Sequence, residues 1–240
     1  MSIYDLYETR HHVLEYSAET VDDSLLNTLL WKAWKMTPSK SNAMAYTVSV
    51  IGPKNQVEKD KIYEQVEANH LFYDEIGFDY NTKDNPELSI NYKFKSNPFY
   101  AHVKNNSHLL VFSSRLAKPN AFYRRTIRNE GHFFEQAEED QVPKIAESVS
   151  IECGFFATHL AGLCREQNID VSFCSCVSKS LKKWRSTPYL WYNHEKQIAR
   201  VHLVMSIGYA EKYRYEWVKE NGTTKMDIKP KFTEVVKFIK

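Results

Sequence analysis

The segment from Pro143 to Gln167 restricts the fold of this chain more than any other stretch. Its apolar residues recur at steps of three and four, the spacing that places side chains on one face of an α-helix. These residues are Ile145, Val149, Cys153, Phe156, Leu160 and Leu163. Pro143 suits the first helical turn, and Asn168 suits the left-handed conformation that ends a helix. We therefore predict a long helix with one apolar face.

A second amphipathic helix is predicted from Asp22 to about Lys35, with Asp22 or Asp23 as its N-cap. Its apolar stripe consists of Leu25, Leu26, Leu29, Leu30, Ala33 and Trp34. Two less regular helices are expected over Lys54 to about Phe72 and over Pro119 to about Ala137.

Four short apolar runs bounded by loop residues indicate strands. They are Tyr46 to Ile51, His108 to Ser113, Ile169 to Val177 and Arg200 to Ile207. Helices that alternate with well-separated strands predict α/β or α+β layers around a central sheet.

A length of 240 residues is compatible with a single domain over 1–240. Within it, Asp74 to Lys104 is rich in Asn, Tyr and Lys and lacks a clear period, so we treat 74–104 as an insertion and a candidate lid. Asp227 to Lys240 is expected to be a tail that ends in a short strand or helix packed on a partner.

The formal charge of +2 gives no argument for a nucleic acid or a membrane surface as partner. Any anion site must therefore be local. The opening residues lack the apolar core of a signal peptide, and no stretch has the ~20 apolar residues that span a bilayer, so we expect a cytosolic protein.

The four cysteines, at positions 153, 164, 174 and 176, form a poor disulfide framework, and reduced thiols are expected. Alternation along a strand would send Cys174 and Cys176 to one face, but no second pair stands at zinc-site spacing. We therefore predict no metal site.

Three motifs stand in order over about 200 residues. Arg10-His11-His12 precedes Tyr16, and Pro38-Ser39-Lys40-Ser41-Asn42-Ala43-Met44 precedes the first core strand. Ile207-Gly208-Tyr209 closes a late strand and is followed by Lys212-Tyr213-Arg214. Together these motifs resemble those of the nitroreductase family of flavoenzymes.

The resemblance implies an α+β, nitroreductase-like fold, with a mostly antiparallel central sheet flanked by helices. It also implies a homodimer whose flavin sites are built from both subunits. The expected activity is that of an FMN-dependent oxidoreductase. NAD(P)H would reduce FMN, and the hydride would then pass to a small oxidised acceptor such as a nitroaromatic or a quinone.

By this resemblance, the opening basic segment and the basic residues after the last strand meet at the FMN phosphate. Arg10, Lys212 and Arg214 are the leading candidates, joined by His11 and His12, because a dianion calls for charge-assisted contacts. The alternative for Arg10 is a solvated surface charge. The loop of Pro38, Ser39, Lys40, Ser41 and Asn42 is expected at the flavin ring and ribityl chain; the alternative is an ordinary turn.

This sequence departs from the family pattern at several positions. His12 replaces a Ser, Met44 replaces a Gln, and Leu14 stands where many members have a basic residue near flavin N1 and O2. The candidates for a substitute cation are His12, Lys40, His102 and Lys104. A glycine turn that faces flavin N5 is also missing, and Cys174 or Ser175 is the candidate for that backbone amide.

These departures leave two alternatives open. One is a protein of the same fold that binds FMN with little turnover. The other is a flavin enzyme with different chemistry, such as reductive dehalogenation or flavin fragmentation. The main hypothesis requires no acid or base side chain, so no catalytic residue is assigned, and His159 is interpreted as a core or interface residue.

Overall fold

The computed structural model describes residues 10–39, 44, 46–66, 98–114, 142–175, 177, 201–216 and 235. Its α-helices are α1 (Asp23–Met36), α2 (Gln56–Tyr63) and α3 (Val142–Glu166), and a 3-10 helix spans Pro98–Val103. Its strands are β1 (Val13–Tyr16), β2 (Tyr46–Ile51), β3 (His108–Ser114), β4 (Asp170–Cys174), β5 (Val201–Gly208) and β6 (Ala210–Tyr213).

The four longer strands form one antiparallel sheet with the order β2-β3-β5-β4. A separate antiparallel pair joins β1 to β6. Helices cover this sheet, so the predicted α+β architecture with an antiparallel centre is confirmed.

The central strand β3 is buried on both faces, and its side chains alternate between two cores. Leu110 and Phe112 belong to the core formed with α1 and α3, where Phe112 packs edge-on against Phe156 at 5.7 Å between ring centroids. Leu109 and Val111 belong to the core on the opposite face, with Ile62 of α2. The sheet is therefore a middle layer between helices.

Helix α1 begins where the sequence predicts. The Asp22 carboxylate accepts a hydrogen bond from the Leu25 amide at 2.8 Å, which is the geometry of an N-cap. Leu26, Leu29 and Ala33 are buried as expected, but Trp34 is 49% exposed. Including Trp34 in the apolar stripe was wrong, because the buried face is narrower than the predicted stripe.

Helix α3 also matches its prediction, to within one residue at each end. Asn168 has a φ of 56°, in the left-handed region, as the sequence indicates. The Ile169 amide donates to the Cys164 carbonyl at 3.0 Å and the Asn168 amide to the Arg165 carbonyl at 3.1 Å. These two bonds form a Schellman motif that ends the helix.

Two predicted elements are too long. Helix α2 ends at Tyr63, well before Phe72, because this charged segment buries only Lys59 and Ile62. The strand predicted over Ile169–Val177 is regular only within β4, and Val177 forms an isolated bridge with Val66.

The predicted helix at Pro119 to Ala137 lies outside the described residues, as do 74–97 of the insertion and nearly all of the tail. Within the described ranges, none of the helices has the length and apolar content needed to cross a bilayer.

Candidate functional site

The pairing of β1 with β6 brings two distant basic segments together. Val13 lies opposite Tyr213, and the Arg214 amide donates to the His12 carbonyl at 2.8 Å. Arg10 and His11 come just before β1, and Lys212 lies in β6. The segments expected to meet therefore run side by side.

Arg10 lies half-buried against β4. The carbon at the centre of its guanidinium group is 5.4 Å from the centroid of the Phe173 ring, a cation–π distance. Burial lowers the pKa of Arg10, but an arginine stays charged in proteins at any ordinary pH. Its ring contact orients a permanent cation with five N–H donors.

Aromatic rings surround the next residue of this segment. The His11 ring contacts those of Tyr213 and Tyr215, with centroids 5.6 Å and 4.7 Å away. The two tyrosine rings are themselves stacked at 5.7 Å. The His11 side chain is exposed, so this cluster forms part of the surface beside the paired basic segments.

His12 contacts a second histidine. Its ring meets that of His102 edge-on, with 4.8 Å between the centroids. His102 is fully buried, and its Nδ1 lies 2.7 Å from the Ser206 hydroxyl. Burial, and secondarily the charge of His12, holds the pKa of His102 well below 6.5. His102 is therefore neutral near pH 7 and does not supply the positive charge for which it was a candidate.

A network of buried hydrogen bonds holds β1, which follows the Arg10–His12 segment. The Tyr16 hydroxyl donates to the Ser206 carbonyl at 3.0 Å, and the Val13 amide donates to the Ser172 hydroxyl at 2.7 Å. The network ties β1 to β4 and β5. The motifs and periodicity of the sequence did not predict this network, although serines inside apolar strands are a signal that buried hydroxyls have partners.

Leu14, a residue of β1, is buried in the core and is only 2% exposed. It stands where the family resemblance expects a cation, and its burial explains why an apolar residue is tolerated there: a charge at this depth would need a partner.

The polar loop after α1 is anchored to α3. The Ser39 hydroxyl donates to a Glu152 carboxylate oxygen at 2.8 Å and accepts from the Met44 amide at 2.8 Å. Met44 has a φ of 45°, in the left-handed region. Pro38 is exposed beside this anchor, while Lys40, Ser41 and Asn42 lie outside the described residues.

Three further candidates for the flavin site are Lys104, Cys174 and Ser175. The Lys104 ammonium lies 4.5 Å from the centroid of the Tyr63 ring, against α2. The Cys174 side chain is buried in the core on the α2 face, and Ser175 is exposed just after β4. In the part of the chain that the structure describes, no cluster of three possible metal ligands occurs.

No protein-family model matches the sequence, and no curated protein does. A nitroreductase family protein from Clostridium novyi NT is similar to this chain with a TM-score of 0.54 at 13% identity, over 88% of this chain and 87% of that one.

Two further structures are similar over nearly the whole chain. The NADPH:FMN oxidoreductase from Vibrio harveyi, complexed with NAD+, has a TM-score of 0.59 at 12% identity and covers 99% of this chain and 77% of that one. A BluB-like flavoprotein from Clostridium difficile 630 has a TM-score of 0.57 at 17% identity, with both chains covered at 100%. The chain has the nitroreductase fold.

Proposed function

We propose that this protein is an FMN-dependent oxidoreductase that transfers a hydride from NAD(P)H, through bound FMN, to a small oxidised acceptor such as a nitroaromatic or a quinone. One observation carries the proposal: in a chain with the nitroreductase fold, the β1–β6 pairing places the Arg10–His12 segment beside Lys212 and Arg214. A nicotinamide and FMN both appear in the name of a similar structure, the Vibrio harveyi enzyme.

The basic segments suit a phosphate ester. A phosphate accepts forked, charge-assisted hydrogen bonds from guanidinium groups, and such bonds are roughly twice as strong as neutral ones. Arg10 is half-buried, with its guanidinium held over Phe173, so binding an anion would cost it less conformational entropy than an exposed, mobile arginine. Arg10, Lys212 and Arg214 are the proposed phosphate ligands, with His11 and His12 beside them.

The loop from Pro38 to Asn42 is proposed to lie against the flavin ring. The Ser39 hydroxyl already has Glu152 and Met44 as partners, so we assign it to holding the loop rather than to donating to the ring. The flavin supplies the redox chemistry when bound, and the chain orients it and excludes water. A backbone amide at Cys174 or Ser175 is proposed to face flavin N5.

The residues of this chain suit the flavin edge near N1 and O2 less well than they suit the phosphate. A reduced flavin gains negative charge there, and a nearby cation would stabilise it. Leu14 is buried, His102 is neutral and Lys104 lies against Tyr63, which leaves His12 and Lys40 as the candidates.

We also propose a homodimer in the cytosol. Ile151 and Phe155, one turn apart on α3, are 59% and 47% exposed, and Trp31 and Met36 of α1 are 56% and 53% exposed. Helices α1 and α3 pack against each other, so these four exposed side chains belong to the same helical layer. Exposed apolar patches of this kind are typical of protein–protein interfaces.

The test combines three measurements on the purified protein. Mass spectrometry of the released cofactor is expected to identify FMN, and anaerobic mixing with NADH or NADPH is expected to bleach the bound flavin rapidly. Reoxidation by a nitroaromatic or a quinone should then restore the oxidised spectrum. A purified protein that neither contains FMN nor takes it up contradicts the proposal.

A second candidate is a flavin-binding protein with slow turnover or with another reductive chemistry. The buried Leu14 and the neutral His102 favour it, because they remove two sources of charge at the flavin edge. A flavin spectrum that stays oxidised under anaerobic NADH and NADPH would support this candidate and reject the reductase.

A further inference from the structure

Asp170, the first residue of β4, connects three elements through one carboxylate. Its Oδ1 accepts from the Arg165 guanidinium at 3.2 Å and from the Tyr213 hydroxyl at 3.1 Å. Its Oδ2 accepts from the Ala210 amide at 3.2 Å. The residue is only 8% exposed, so this carboxylate is shielded from the water that would otherwise compete for these donors.

Two of the three donors lie at the two ends of β6, and the third, Arg165, lies at the end of α3. Ala210 begins β6 and Tyr213 ends it, while Asp170 itself lies opposite Gly208 in the main sheet. The carboxylate therefore fixes the short strand β6 to the end of α3 and to β4. The sheet pairing alone does not do this, because among the strands that the structure describes β6 pairs only with β1.

The strand held in this way carries the proposed phosphate ligands. Lys212 precedes Tyr213 and Arg214 follows it, and Tyr213 lies opposite Val13 in the pair with β1. A change in how Tyr213 is anchored would shift both cations relative to Arg10. Guanidinium recognition of phosphate depends on geometry, so such a shift weakens binding although both cations are kept.

We propose that Asp170 is a positioning residue for the phosphate end of the flavin site, acting through Tyr213 and Ala210 on Lys212 and Arg214. This inference rests on the proposed FMN binding and adds to it a residue that none of the sequence motifs contains. Asp170 itself is not proposed to touch the flavin.

The test compares FMN with riboflavin, which lacks the phosphate. Dissociation constants are measured by flavin fluorescence on the deflavinated full-length protein, for the wild type, Asp170→Asn and Tyr213→Phe. Asp60→Asn, at an exposed carboxylate of α2, is the control. We expect Asp170→Asn to raise the Kd for FMN about tenfold and Tyr213→Phe to raise it about threefold. Riboflavin affinity should stay within about twofold of the wild type in every variant.

Equal weakening for FMN and riboflavin would overturn the inference, because it would show a general structural role. Unchanged FMN affinity in both variants would also overturn it. Should Asp170→Asn fail to fold, Tyr213→Phe decides alone, since it removes one hydroxyl from the same contact. A wild-type protein that binds no FMN would instead reject the proposed function. Failure of the Asp170 inference and failure of the proposed function therefore give different results.

Discussion

At the scale of single residues, Gly208 packs closely against the Tyr16 ring. A Cβ added at Gly208 would lie 2.7 Å from the Tyr16 ring, too close for any side chain. The ring cannot easily move, because its hydroxyl donates to the Ser206 carbonyl. We expect Gly208→Ala to lower the free energy of unfolding by about 1–3 kcal/mol, measured by urea denaturation.

Gly52→Ala is the matched control for this substitution, since a Cβ there meets nothing within 4 Å. It should leave stability within about 0.5 kcal/mol of the wild type. Equal unfolding midpoints for the two variants would show that Tyr16 is not packed against Gly208 as described.

Lys59 offers a pH-dependent test of burial. Its side chain is 1% exposed, its ammonium donates to the Asn106 and Ser107 carbonyls, and desolvation lowers its pKa to about 8. Between pH 8 and 10.5, the unfolded chain therefore binds more protons than the folded chain. In this window, Lys59 should make the unfolding free energy rise with pH by up to about 1.4 kcal/mol per unit.

Lys59→Met should remove that rise, as measured by denaturation at several pH values. Lys61→Met, two residues away on the same helix, should keep it, because Lys61 is partly exposed and pairs with Glu58. Parallel profiles for the wild type and Lys59→Met would contradict the shifted pKa.

Contacts at this scale were the least predictable from sequence. In the sequence, Lys59 stands among other charged residues, as a surface lysine would. Its burial depends on where the Asn106–Ser107 turn packs. The sequence makes His102 a candidate cation, but burial beside Ser206 keeps it neutral near pH 7. Burial depends on tertiary packing, which local composition does not encode.

At the scale of secondary-structure elements, the end of α3 can be tested at Asn168. This residue has a φ of 56°, which costs L-residues other than Asn and Gly roughly 1–2 kcal/mol. Asn168→Ala should therefore destabilise the protein by about 1 kcal/mol, whereas Asn168→Gly should be neutral or slightly stabilising.

Thermal or chemical denaturation measures both variants, with Gln167→Ala as a neighbouring control. If the Ala and Gly variants at 168 are equally stable, the left-handed cap is not present in solution.

Elements were predictable where hydrophobic periodicity is strong. The boundaries of α1, β2 and α3 agree with the predictions to within one or two residues, because each of them buries one regular face or run. Helix α2 was overestimated, since a charged segment with few buried residues gives no signal for where it ends.

At the scale of the whole molecule, the proposed dimer is tested on α3. Phe155→Glu puts a charge into the exposed apolar surface of this helix and should convert the dimer into a monomer in light scattering coupled to size exclusion. Val57→Glu, at a residue of α2 that is 67% exposed, should remain dimeric. A monomeric wild type, or a dimeric Phe155→Glu, would reject this interface.

The meeting of the two basic segments could not be read from periodicity, because β1 and β6 are four-residue strands far apart in sequence. The order of motifs shared with flavoenzymes predicted it, and the strand pairing between Val13 and Tyr213 agrees with that order. The loop at Lys40 to Asn42 stays a prediction, since those residues lie outside the described ranges.

The most direct test of the central claim is the affinity for FMN after both arginines are replaced. Arg10→Ala combined with Arg214→Ala should weaken FMN binding by about 100-fold, because two charge-assisted contacts to one phosphate are lost. Lys35→Ala, which removes a cation stacked on Trp31 at 4.9 Å, should leave the affinity unchanged. If the double variant retains FMN with the same Kd as the wild type, the two basic segments do not form the phosphate site.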